Sequence, residues 1–169
     1  MGKIIAFSNQ KGGVGKTTTC VNMSAYLASK GYKCLIVDLD PQGNATSGLG
    51  FSKSEVKHSV YNVMIDDMPI EDACLKTCVD GLDLLPSNID LAGAEVELVS
   101  IKEGREFVIK NELNKVRGKY DYIFIDCPPS LGLLTINALT ASDEVIVPIQ
   151  CEFFALEGLS QLMNTVRLV

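Results

Sequence analysis

Short apolar runs alternate with amphipathic stretches along this chain. Lys3 to Ser8 is an apolar run that ends where the glycines begin, and it predicts a first strand. Thr17 to Ser29 carries Val21, Ala25 and Ala28 at helical spacing, with Gly31 as a stop signal. Lys33 to Asp38 is too hydrophobic for a half-exposed strand and suits a buried parallel one. Asp40 to Gly50 is rich in Gly, Pro, Asn and Ser and reads as a loop. Leu82 to Pro86 predicts a short strand. Asn88 to Ser100 and Arg105 to Lys119 predict two helices separated by Gly104. Tyr120 to Asp126 is the next buried strand, broken by Pro128-Pro129-Ser130. A helix over Leu131 to Ala141 and a strand over Glu144 to Pro148 follow. The last predicted helix, Ala155 to Val169, has Leu156, Leu159, Leu162 and Val166 on one side. Strand alternating with helix predicts an α/β fold: a mostly parallel central sheet covered on both faces, three layers deep, with right-handed crossovers.

A chain of 169 residues is enough for one compact domain, so residues 1–169 are expected to form a single unit. Val169 closes an apolar helix with no stop signal and no polar tail. A further strand is expected after it, so the fold is read as truncated at its C-terminus. If the molecule ended there, an exposed sheet edge and poor solubility would follow.

Composition narrows the class. Hydrophobic residues make up 47% and charged residues 21%, which is globular. No run of about 18 apolar residues occurs, so no segment reads as a membrane-spanning helix. The N-terminus lacks a long apolar segment before a cleavage site and reads as a strand, not a signal peptide. Gly2 raises N-myristoylation, but Ala6 stands where Ser or Thr is wanted. The six cysteines are Cys20, Cys34, Cys74, Cys78, Cys127 and Cys151, several within apolar runs; reduced and mostly buried thiols are expected. A net charge of -6 makes the chain a poor non-specific nucleic-acid binder by bulk charge, so DNA contact would need a local basic patch.

The strongest chemical signal follows the first strand: Asn9-Gln10-Lys11-Gly12-Gly13-Val14-Gly15-Lys16-Thr17-Thr18, with a helix pattern immediately after. Glycines let the backbone turn tightly and bring several N–H groups onto an anion. The helix start adds unbonded donors and a positive dipole end. Lys16 can neutralise the β and γ phosphates, the Thr17 hydroxyl can ligate Mg²⁺, and Thr18 can reach the α phosphate. The plain phosphate-loop pattern wants Gly where this chain has Gln10, and Lys11 stands directly before Gly12-Gly13.

That departure carries a resemblance. Lys11 to Thr18 is similar to the deviant Walker A loop of the ParA/MinD group of ATPases. Asp38-Leu39-Asp40-Pro41-Gln42-Gly43-Asn44 resembles the group's switch I, and Tyr122 to Ser130 resembles its Walker B strand and switch II. Gln10, the Asp40 to Asn44 run and Leu131 to Leu139 closely resemble the ParA/Soj partition ATPases. The resemblance implies a three-layer P-loop NTPase fold and a cytoplasmic, nucleoid-associated ATPase with ATP and Mg²⁺ as cofactors. It implies a homodimer formed on ATP binding, a ParB-like partner that stimulates weak hydrolysis, and non-specific DNA binding. It also assigns roles. The phosphate cradle would be Lys11, Gly12, Gly13, Val14, Gly15, Lys16, Thr17 and Thr18. Lys11 would cross the dimer interface to the partner's nucleotide, much as an arginine finger does, and Gly12 would allow close approach. Asp40 would orient the attacking water. Asp126 would hold Mg²⁺ through water alongside Thr17, and Asp38 would support the metal shell or the loop. Adenine contacts and most of the DNA-binding surface are expected beyond residue 169.

Blander readings stand beside these roles. Lys11 suits a solvated loop lysine, Asp38 and Asp40 suit turn amides, and Asp126 suits a capping residue. Hydrolysis is expected to be slow, since a carboxylate is a weak base and positioning must supply most of the acceleration. ATP then serves as a dimerisation switch more than as fuel. Cys74 and Cys78 offer too few ligands for a metal, and His58 stands without a partner cluster. Cys127 beside Asp126 brings to mind cluster-bearing iron proteins, but it heads back toward the sheet. Lys102, Arg105, Lys110, Lys115, Arg117 and Lys119 alternate with Glu103, Glu106 and Glu112, as on a solvated face, with DNA contact as the alternative. Phe153 and Phe154 suit core packing, with a dimer contact or the nucleotide surroundings as the alternative. A MinD-type membrane-associated regulator is the alternative function, although no membrane contact is expected; a small-molecule synthetase on the same scaffold is a third.

Overall fold

The computed structural model describes residues 2–151 and 155–168. Six strands form one sheet: β1 (Lys3–Phe7), β2 (Cys34–Asp38), β3 (Leu75–Lys76), β4 (Leu82–Leu85), β5 (Tyr122–Asp126) and β6 (Glu144–Ile146). Their spatial order is β3-β4-β2-β5-β1-β6, parallel throughout except for β3, which pairs antiparallel with β4 at one edge. The α/β reading with a mostly parallel sheet holds.

The apolar runs are continuous because both faces of the sheet are covered. In β2 all positions are buried. Alternate residues feed two cores. Ile4, Ala6, Leu35, Val37, Ile123 and Ile125 pack on one face. They meet α3 (Val60–Ile65), α5 (Leu91–Ser100), α6 (Val108–Val116) and α7 (Leu133–Ala141). Ile5, Phe7, Ile36, Leu84 and Phe124 pack on the other, under α1 (Lys16–Ser29). The remaining helices are α2 (Asn44–Gly48), α4 (Ile70–Ala73) and α8 (Ala155–Leu168).

The structure departs from the sequence reading in several places. The loop expected over Asp40 to Gly50 contains α2. The segment from Phe51 to Gly81, for which no element was predicted, forms α3, α4 and β3. In α1 the buried positions are Lys16, Cys20, Ser24 and Ala28, so the inward face is offset from the Val21–Ala25 face the spacing suggested. Small side chains let this helix lie close to the sheet, and the Ser24 hydroxyl is absorbed by a bond to the Cys20 carbonyl. In α8 Leu162 is buried but Val166 is 37% exposed. The cysteines are only partly interior: Cys20, Cys34 and Cys127 are buried, Cys74 is half-buried, and Cys78 and Cys151 are exposed. Four of the six cations of the basic-leaning stretch pair with carboxylates, two of them from outside the stretch. Lys115 pairs with Glu112, Arg105 with Glu106, Arg117 with Asp143 and Lys119 with Glu71. Phe153 and Phe154 lie outside the described residues.

Candidate functional site

Strand register assembles the site. β5 lies between β1 and β2, and Asp126 is level with Phe7 on one side and with Asp38 on the other. The C-terminal ends of three strands therefore finish together. The glycine-rich loop leaves β1, the Asp40 loop leaves β2 and the Pro128-Pro129 loop leaves β5 at one edge of the sheet, where open α/β folds bind ligands.

The loop from Ser8 to Gly15 turns back into α1. Gly13 has φ 74° and Gly15 φ 90°, conformations that a side chain disfavours. Gly15 caps α1 with no side-chain acceptor, which leaves the first-turn amides to an external anion. Asn9 braces the loop: its Oδ1 accepts from the Lys11 amide at 3.0 Å and its Nδ2 donates to the Pro148 carbonyl at 2.8 Å. Gln150 Nε2 donates to the Gly13 carbonyl at 3.3 Å. The chain after β6 thus clasps the phosphate loop, a link that no local sequence signal announces.

A cleft of about 620 Å³ opens above, lined by Gly12, Gly13, Gly15, Lys16, Thr17, Thr18 and Asp40 among the predicted residues. Val21, Asn22, Gln42, Asn44, Gly48 and Pro129 complete it. Lys11 and Val14 do not line it. Lys16 is buried to 7% exposure, and its Nζ donates to the Lys11 carbonyl at 3.2 Å. Burial lowers its pKa, while Asp126 and Asp40 pull the other way. A buried ammonium held mainly by one neutral carbonyl is ready to exchange that bond for an anion.

Beneath the cleft, the Thr17 hydroxyl donates to Asp126 Oδ2 at 2.6 Å. Asp126 is fully buried and its Oδ1 has no partner. Burial pushes its pKa up to about 7. An unpartnered buried carboxylate oxygen next to a threonine hydroxyl fits the oxygen-donor preference of a hard divalent cation. Asp38 is engaged differently. Its Oδ2 accepts from both the Thr46 amide at 2.8 Å and the Thr46 hydroxyl at 2.7 Å, and its Oδ1 accepts from the Asp40 amide at 3.3 Å. Burial raises its pKa to about 6 against those bonds. These bonds make Asp38 an organiser of switch I. Thr46 then accepts from the Ser87 amide at 2.9 Å, tying the loop to the end of β4. Asp40 is 6% exposed and faces the cleft, with its Oδ1 accepting from the Gln42 amide at 2.9 Å. Cys127 points into the core at 1% exposure, away from the cleft, and burial raises its thiol pKa. Among the described residues no helix is long and apolar enough to cross a membrane, and no three His, Cys, Asp or Glu side chains cluster.

The AAA domain family matches residues 2–169. The sporulation initiation inhibitor protein Soj of Bacillus subtilis is 62% identical over 169 residues, covering 100% of this chain and 66% of that protein. The chromosome partitioning protein ParA of Myxococcus xanthus is 53% identical, over 100% of this chain and 59% of its own length. The chain therefore spans less than two thirds of these curated relatives. Among solved structures, cobyrinic acid a,c-diamide synthase from Mycobacterium smegmatis with bound ADP and magnesium superposes with a TM-score of 0.95 at 47% identity. That superposition covers 100% of this chain and 68% of that one.

Proposed function

The chain belongs to the AAA domain family and, within it, to the Soj and ParA partition proteins; from that premise we propose that it is the nucleotide-switch part of a Mg-ATP-dependent partition ATPase. The observation that carries this reading is the Thr17–Asp126 pair, with one oxygen left open, on the floor of a glycine-lined cleft that also presents Lys16.

The loop amides and Lys16 hold the triphosphate, with Thr18 toward the α phosphate. Thr17 and Asp126 would hold magnesium there. Bound magnesium supplies charge neutralisation across the phosphates. Asp40 orients the attacking water from switch I, while Asp38 holds that loop in shape. Lys11 crosses to the nucleotide of a second copy and completes its charge shell there. Among the described residues no strong base faces the water, so hydrolysis is slow and depends on assembling the dimer. ATP therefore gates dimerisation; the dimer binds DNA non-specifically, and a ParB-like partner stimulates hydrolysis. The protein acts in the cytoplasm on the nucleoid.

Lys16→Ala is expected to lose at least a hundredfold in nucleotide affinity. Lys11→Ala is expected to keep ATP but to stay monomeric in light scattering with a non-hydrolysable analogue and Mg²⁺. A wild-type protein that remains monomeric when saturated would end the switch proposal. The likeness to the cobyrinic acid a,c-diamide synthase of Mycobacterium smegmatis supports a second reading, ATP use coupled to cobyrinic acid. Turnover that requires cobyrinic acid and ignores DNA and a ParB-like partner would favour it.

A further inference from the structure

Lys53 lies outside every motif above, on the exposed segment after α2, and it reaches back onto switch I. Its Nζ donates to the Gln42 carbonyl at 2.7 Å. Gly43 sits at φ 60°, and a Cβ placed there would lie 2.6 Å from Lys53 Cδ, 3.1 Å from its Cγ and 3.2 Å from the Ser87 carbonyl oxygen. The glycine is therefore enclosed between a lysine stem and the chain leaving β4. The same turn carries Asp40: the Gly43 amide donates to the Asp40 carbonyl at 2.8 Å, and the Gln42 amide to Asp40 Oδ1 at 2.9 Å. Buried Asp38 and Thr46 hold the turn from inside. Lys53 holds it from outside.

We propose that Lys53 is a positioning residue for hydrolysis, a latch that keeps the Asp40 turn closed over the cleft. The proposal rests on the reading that Asp40 orients the water. Lys53 itself lines neither the cleft nor the phosphate loop; it bonds the main-chain carbonyl of Gln42, a lining residue, so its loss acts first on the turn and leaves the phosphate-holding groups in place. A charge-assisted bond at an exposed site shifts the open and closed populations of the turn modestly, which sets the expected effect at about fivefold.

The test uses Lys53→Met, which keeps the apolar stem and removes the ammonium, with Lys53→Arg as rescue and Asp40→Ala as the reference. Steady-state hydrolysis and amide hydrogen exchange over residues 42–46 are measured on each protein. Lys53→Met is expected to lower kcat about fivefold with KM for ATP within twofold, and to speed exchange across the turn; Lys53→Arg restores both. Unchanged exchange in Lys53→Met overturns the latch, as does an arginine variant no better than methionine. Faster exchange with unchanged kcat, where Asp40→Ala is impaired, also overturns it. Normal hydrolysis by Asp40→Ala sinks the water-orienting reading instead, and the exchange data then decide the latch alone.

Discussion

In the metal-free protein the Asp126 carboxylate works against folding. It is fully buried, one oxygen is unpartnered, and burial raises its pKa from 3.8 to about 7. An acid whose folded pKa lies above its unfolded value keeps a proton in the native state that the unfolded chain has already released. Stability contributed by that proton is lost as pH rises from about 4 to about 7 and is level above that. The gap is about 3 pKa units, and at 1.36 kcal/mol per unit this makes ionised Asp126 cost about 4 kcal/mol at pH 8. At pH 5, little more than one unit above the unfolded value, the same linkage costs about 1.6 kcal/mol. Asp126→Asn keeps the shape and an acceptor for Thr17 but cannot ionise. In chelator-treated, nucleotide-free protein it should exceed the wild type in urea stability, and its advantage should grow by about 2.5 kcal/mol between pH 5 and pH 8. That difference cancels any fixed packing change from the substitution. Mg-ATP should stabilise the wild type more than the variant, which keeps the loop amides and Lys16 but loses the carboxylate charge. An advantage that is equal at both pH values would refute the reasoning, because a buried ionising carboxylate is its sole source.

Thr46→Val removes the hydroxyl that bonds Asp38 and the Ser87 amide, both buried, and should destabilise by about 2–4 kcal/mol in thermal or urea melts. The loss should be larger at pH 8 than at pH 5, since Asp38 with a pKa of about 6 is ionised only at the former; equal losses would contradict it. Gly132→Ala should cost no more than about 1 kcal/mol, because the atom its Cβ would meet, Glu95 Oε1, is the free end of a flexible side chain that can turn aside. Adding Glu95→Ala should recover most of that, and additive losses in the double-mutant cycle would count against the collision.

Five of the six strands and the phosphate loop were legible from local signals. An apolar run such as Cys34–Asp38 reads as a buried strand whatever its neighbours do, and Gly13 and Gly15 announce a turn that few other residues can make. The middle segment was not legible for a matching reason. α3, α4 and β3 span 6, 4 and 2 residues, too few for a period of 3.6 or 2 to show. α2 was hidden in the same way by its glycines and polar residues, although Thr46 within it is fully buried. Local spacing also misjudged α1, since which face turns inward depends on how the glycine loop aims the helix at the sheet.

What the sequence alone determined is the chemistry available: a loop for phosphate, two lysines within it, and acids at the ends of two strands. Only tertiary structure decided what those groups do together. Thr17 and Asp126 stand 109 positions apart and meet at 2.6 Å because β5 inserts between β1 and β2 in level register. Asp38, equally acidic and level with Asp126, is instead spent on Thr46, and an exposed lysine from an unremarked segment holds the turn above it. Backbone preferences are written residue by residue, whereas partnership depends on which strand ends the packing of the whole sheet brings side by side.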